Sequence, residues 1–220
     1  DGFDGHALWP GFKSVPNEFL ETYYPLRVEA YETLPDTGGA GFFRGGNGLR
    51  VVYRLLEEGE ISIHDDRWLT FPWGVKGGRP GARGSKLLIR ASGEKEWLPA
   101  KCDGVKVMPG DQLVFDTWGA GGWGDPLDRD AEKVAQEVRL GLVTGEGAAN
   151  YGVVLTDELT VDARRTERLR GEMRSTRGPI ELFDRGGTID EIVARCRAET
   201  HLDPPAPPVA VNHRLREAAE

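Results

Sequence analysis

Leu49-Arg50-Val51-Val52-Tyr53-Arg54-Leu55 places Leu, Val, Tyr and Leu at every second position and arginine at two of the three positions between them. A period of two puts one face of an extended chain inside and the other toward water, which is the pattern of a half-buried β-strand. The same grammar recurs upstream in Leu26-Arg27-Val28-Glu29-Ala30 and downstream in Glu60-Ile61-Ser62-Ile63-His64. Further short apolar runs span 86–90, 104–108 and 111–116, bounded by turn formers such as Pro109-Gly110-Asp111. No helical period intervenes between these runs. Consecutive strands without crossover helices pair antiparallel, so the reading for 1–124 is a glycine-rich β domain built as an antiparallel sandwich or a barrel-like sheet.

Past Gly124-Asp125-Pro126 the period changes. Ala131, Val134, Ala135 and Val138 recur at i, i+3, i+4 and i+7, with Asp128 or Asp130 as N-cap and Gly141 as the stop, predicting a helix of about three turns. A short helical stretch follows over 145–151. Another helix is expected over 162–174, with Ala163, Thr166, Leu169 and Met173 inward. Thr188-Ile189-Asp190-Glu191 reads as a capping box that opens a helix with Ile189, Ile192, Val193 and Cys196 on one face. The class is therefore α+β: a β domain over 1–124, a helical region over 125–202, and a Pro-rich tail over 203–220 that favours polyproline II.

Composition narrows the function. The 220 residues carry 28 basic and 36 acidic side chains, a net charge of −8. Phosphate neutralisation supplies most nucleic-acid affinity and needs the opposite balance, so nucleic acid is not expected as a partner. Thirty glycines and fourteen prolines exceed average usage of roughly 7% and 5%, and most of the glycines lie between Gly38 and Gly124. Cys102 and Cys196 are too far apart in sequence for a Cys-x-x-Cys redox pair or a thiolate zinc cage. No apolar run approaches the roughly 18 residues of a membrane span, and no secretory leader pattern opens the chain, so the expectation is a cytoplasmic protein without a membrane partner. A first residue of Asp rather than Met suggests a processed chain or a piece of a longer one.

Candidate sites are few. Gly119-Ala120-Gly121-Gly122-Trp123-Gly124 fits the spacing G-x-G-x-x-G, but Asp125-Pro126 follows where the helix holding a pyrophosphate should begin. A glycine-rich turn is the better reading, and no cofactor is expected on this chain alone. The densest polar cluster is His64-Asp65-Asp66-Arg67. His64, Asp66 and Arg67 are the catalytic candidates, because an imidazole beside carboxylates can move protons or bind metal. Neighbours on a strand point to opposite faces, however, so His64 and Asp65 do not converge, and the favoured reading pairs Asp66 with Arg67 across a turn. His6, His201 and His213 lie near the ends, leaving too few ligands for a metal. Trp68, Trp73, Trp118 and Trp123 cluster in sequence with Phe71. Trp73, Trp118 and Trp123 are candidates for a substrate pocket or an interface, against the plainer alternative that they brace the glycine-rich region.

Motif order adds a resemblance. The runs 21–29, 35–41, Phe43-Arg44-Gly45-Gly46 with Gly48, Pro72-Trp73-Gly74, Gly77-Gly78, Pro80-Gly81, 109–111 and 121–126 resemble the B-type subunits of hydantoinase/oxoprolinase enzymes. The resemblance implies a multisubunit complex in which an A-type ATPase partner uses ATP and magnesium to activate a small-molecule substrate, and the B-type subunit completes the reaction. Members open cyclic amides, and relatives carboxylate ketones. It also implies a zinc or manganese ion held by His and Asp residues in the amino-terminal part of the B-type subunit. This chain corresponds to the carboxyl-terminal portion, so the remainder of the B-type subunit is an expected partner and the chain alone is expected to be inactive.

Overall fold

The computed structural model describes residues 1–5 and 14–205. His6, His213 and the Pro-rich run beyond Pro205 lie outside the described residues. A short helix, α1 (Asn17–Tyr23), leads into β1 (Leu26–Thr33), β2 (Leu49–Leu55) and β3 (Gly59–His64). Then follow β4 (Gly74–Val75), β5 (Ser85–Ile89), β6 (Lys95–Trp97), β7 (Lys101–Val107) and β8 (Gln112–Asp116). The second half holds α2 (Ala131–Arg139), α3 (Ala163–Thr176), β9 (Phe183–Asp184) and α4 (Ile189–Thr200), with single 3-10 turns at Pro126–Asp128 and Gly147–Tyr151.

All pairings between these strands are antiparallel. Five strands form an open sheet in the order β1-β2-β8-β5-β6, and β3 pairs with β7. The alternation that opened the sequence reading is realised: Val51 and Leu55 of β2 are buried. Leu55, Leu88 and Leu113 of the sheet share one core with Ile63 and Val107 of the β3–β7 ribbon and with Leu98. Leu88, wholly buried, stands opposite Leu113 in the register. Burying one such leucine side chain contributes about 2 kcal/mol.

A second core joins the helical region to the glycine-rich loops. Ala40 packs with Val134 of α2 and with Val143, Ala148, Tyr151 and Val153. Helix α2 starts at Asp130, whose carboxylate accepts from the Glu132 N–H at 2.9 Å, and the chain leaves it through Gly141 at φ 72°. The short helical stretch expected over 145–151 is a 3-10 turn at Gly147–Tyr151, which Gly152 ends at φ 63°. On α3, Thr166 is buried and its hydroxyl accepts from the Val154 N–H, while Ala163 is exposed, not inward. The capping box at Thr188 and Glu191 is formed on both sides. Ile192 and Cys196 of α4 are buried, whereas Ile189 is 59% exposed.

Three departures have a common cause. β4, β6 and β9 are two or three residues long, too short for a period of two to show. β9 nonetheless ties the helical half to the first half: Gly74 pairs with Asp184 and Val75 with Phe183. Among the described residues no helix is long and apolar enough to cross a membrane.

Candidate functional site

Three glycine-rich segments, 36–48, 72–84 and 118–125, lie side by side and are joined backbone to backbone. Gly39 N–H donates to Ala120 C=O at 2.8 Å, Gly122 N–H to Arg79 C=O at 2.9 Å, and Arg79 N–H to Ala40 C=O at 2.7 Å. Phe43 and Trp123 exchange backbone hydrogen bonds at 2.9 and 3.0 Å, and Trp123 also bridges Val75. Glycine is required by proximity: a Cβ on Gly119 or Gly121 would overlap the carbonyls of Thr37 and Trp73. With so little side-chain volume between the segments, the large aromatic residues that interrupt the glycines project outward, while Ala40, Arg44 and Asn47 turn inward. Phe42, Phe43, Trp73 and Trp123 are 41–45% exposed.

The pairing also settles what Gly119–Gly124 does. The N–H groups of Gly119, Ala120, Gly122, Trp123 and Gly124 donate to Ala82, Gly46, Arg79, Phe43 and Val75 carbonyls. A phosphate cradle needs free N–H groups at a helix start. Here they are spent on the seam, and Asp125 caps a single 3-10 turn instead.

An ionic cluster fastens the seam to α2. Glu137 Oε1 accepts from Arg44 Nε at 3.1 Å and from Arg129 Nη2 at 2.8 Å. Arg129 also grips Asp1 through both Nη atoms, at 2.7 and 2.9 Å, and donates to Phe42 C=O. Arg44 Nη1 reaches Asp4 at 2.9 Å. Burial works against the Arg44 charge, but Asp4 and Glu137 outweigh it and hold the guanidinium above its ordinary value. Both arginines are nearly fully buried and fasten the glycine loops to α2, while Asp1 and Asp4 at the edge of the cluster stay partly open to solvent.

The catalytic candidates read from sequence are scattered. His64 is exposed and its Nε2 stands 3.7 Å from Asp103. Asp66 is also exposed and pairs with Lys101 Nζ at 3.2 Å; the expected Asp66–Arg67 pair does not form, because Arg67 takes φ 57° and turns its chain so that its carbonyl accepts from Gly84 N–H. Asp65 turns inward to Lys86, as alternation along β3 requires of a neighbour of His64. Sequence reasoning passed over Lys86, which is wholly buried, with Nζ 4.4 Å from the Phe115 ring centre. Burial lowers its pKa to about 8, with Asp116 pulling the other way. Its signal was a lysine at an inward position of an apolar run.

The tryptophans do not form one cluster. Trp73 meets Phe183 at 5.8 Å between ring centres and carries the Arg185 guanidinium at 4.7 Å. Trp123 meets Phe43 at 5.6 Å and Lys76 at 5.2 Å. Trp118 is 38% exposed at the start of the third glycine segment. The Pro109-Gly110-Asp111 motif is structural: the Asp111 carboxylate accepts from the N–H groups of Ala91 and Met108 and from Arg90. Among the described residues no three His, Cys, Asp or Glu side chains converge to hold a metal ion. The donor set here does not fit the zinc or manganese that the resemblance implies.

Comparison with known proteins places this geometry. The chain is 34% identical over 174 residues to the B-type chain of a putative D-/L-hydantoinase from Pseudomonas sp. (strain NS671), covering 77% of this chain and 29% of that protein. It is 32% identical over 164 residues to the beta chain of the caprolactamase from Pseudomonas jessenii, covering 70% and 27%. The crystal structure of the ATP-dependent caprolactamase from that organism superimposes with a TM-score of 0.61 at 30% identity, over 72% of this chain and 28% of the other. A nucleotide-free acetone carboxylase shares the fold, with a TM-score of 0.62 at 20% identity. The chain spans under a third of the length of these relatives. Residues 1–126 match the hydantoinase B/oxoprolinase family. With the glycine seam and its flanking strands inside that match, the chain belongs to the hydantoinase B/oxoprolinase family.

Proposed function

We propose that this chain is a portion of the B-type subunit of an ATP-dependent complex that opens a cyclic amide after an A-type ATPase partner has activated it. The observation that carries the reading is the agreement of sequence and structure with the caprolactamase at similar coverage. The chemistry of the chain points the same way. Its exposed aromatics sit on a seam of paired backbone. Such a surface shapes and dries a site without itself supplying nucleophile or metal. Phe43, Trp73 and Trp123 are the residues assigned to that surface, and the metal and ATP chemistry belongs to the remainder of the B-type subunit and to the A-type partner.

The test is reconstitution. The chain mixed with ATP and a cyclic amide such as 5-oxoproline, a hydantoin or a lactam should be inert, and addition of the remaining B-type segment and the A-type partner should give ATP-coupled ring opening. Turnover by the chain alone would contradict the partner requirement. A second reading, ketone carboxylation, is favoured by the acetone carboxylase fold match over 86% of this chain and by 30% identity to the acetophenone carboxylase delta subunit of Aromatoleum aromaticum. Bicarbonate-dependent ATP hydrolysis with a ketone selects it. A third, a non-catalytic assembly module, is selected if alanine at Trp73, His64 and Asp66 leaves the assembled complex and its kinetics unchanged.

A further inference from the structure

We propose that a one-sided row of aromatic side chains, Phe43, Trp123, Phe183 and Trp73, is the contact face for the remaining segment of the B-type subunit. Residues paired across neighbouring strands place their side chains on the same face. Phe43 bridges Trp123, Trp123 bridges Val75, and Val75 pairs with Phe183, so residues from four separate segments stand side by side on one face. Trp73 extends the row, its ring centre 5.8 Å from that of Phe183. Lys76 and Arg185 lie over the Trp123 and Trp73 rings at the margins. All four rings are 43–45% exposed.

Backbone and area decide the kind of occupant. The N–H groups of Phe43, Trp123, Val75 and Lys76 donate to the carbonyls of Trp123, Phe43, Gly122 and Leu182, so this face offers ring surface and not strand pairing. An aromatic side chain presents about 150–250 Å², and four rings open to this extent leave roughly 350 Å² of apolar surface in one stretch. Covering it removes about 700 Å² from the two sides together, inside the roughly 600–1,500 Å² of contacts between domains of one chain and short of the roughly 1,200–2,000 Å² that holds separate proteins together. A tethered occupant needs less area, because its effective concentration is already high. The relatives have such an occupant: this chain spans under a third of their length, and the rest of each lies outside the matched region. A second copy of this chain and the A-type partner are both untethered. Rings covered by the B-type segment are dry in the assembled subunit, the environment proposed above for the reacting centre.

The identity of the occupant rests on the B-type reading above; the row itself does not. Hydroxyl-radical footprinting of the chain alone, with the remaining B-type segment, and with the A-type partner alone separates the two. Oxidation of Trp73, Trp123 and Phe183 should fall several-fold with the B-type segment and stay at the free-chain level with the A-type partner alone or as the chain is concentrated. Joint Trp73→Ala and Trp123→Ala substitution should weaken binding of the B-type segment about tenfold or more at an unchanged melting temperature. Footprinting of the unaltered chain carries the test if the variant melts early. A complex in which the row stays reactive overturns the inference and leaves the B-type reading standing, whereas failure to form any complex overturns both. Protection by the A-type partner alone, or by chain concentration alone, gives the face to a different occupant and overturns the assignment as well.

Discussion

In the five-stranded sheet Leu88 and Leu113 meet side chain to side chain, whereas in the seam the carbonyls of Thr37, Trp73 and Ala120 press directly on Gly119, Gly121 and Gly45. The first region is cohesive because apolar surface leaves water; the second because backbone groups that would otherwise be buried unpaired find one another. The difference shows in what each leaves outside. The sheet hides its large side chains in a shared core, and the seam turns Phe42, Phe43, Trp73 and Trp123 toward solvent.

The comparison breaks most sharply at a seam glycine. Gly121→Ala puts a methyl group into the Trp73 carbonyl with no flexible side chain to yield, and the expected loss is about 4 kcal/mol or complete failure to fold, read by urea unfolding. Leu88→Ala, the matching change in the sheet, removes side-chain atoms from a closed core and should cost about 3 kcal/mol while leaving the native spectrum intact. If the glycine change proves the milder of the two, the seam is not held by backbone contact.

Asp111 sharpens the comparison by pH. Burial alone would raise its pKa, but the N–H groups of Ala91 and Met108 and the Arg90 guanidinium outweigh it and hold the carboxylate below its ordinary range. A folded pKa below the unfolded one gives stability that is complete above about pH 4 and is lost as pH falls through the lower folded value. Asp111→Asn should cost about 2 kcal/mol at neutral pH and flatten the acid limb of the stability curve. An unchanged acid limb would show that the turn does not depend on the charge. The smallest effect belongs to the exposed seam aromatics: Trp123→Ala should change stability by under about 1 kcal/mol, so that any large loss in the assembled complex reports on function rather than folding.

Much of the β structure was legible because β1, β2 and β3 are long enough to show a period of two, and the capping box at Thr188 was legible because its two partners are fixed in spacing. β4, β6 and β9 are too short to announce themselves, and Ile189 lies on the helical stripe yet outside the contact, since a period marks a face without saying what covers it. The glycine run 119–124 was read as a turn, but its partners at Thr37, Trp73 and Ala40 are far away in the chain and no local pattern names them. The site was the least legible part. His64 and Asp66 are adjacent to a buried Asp65–Lys86 pair that the same alternation could have located.

Metal content measures the central claim, that this chain is a scaffold whose reacting centre is completed by other polypeptides. Elemental analysis by mass spectrometry of the purified chain, and of the complex with the rest of the B-type subunit and the A-type partner, should find zinc or manganese in stoichiometric amount in the complex and none retained by the chain. Stoichiometric metal held by the chain alone through dialysis would contradict the account.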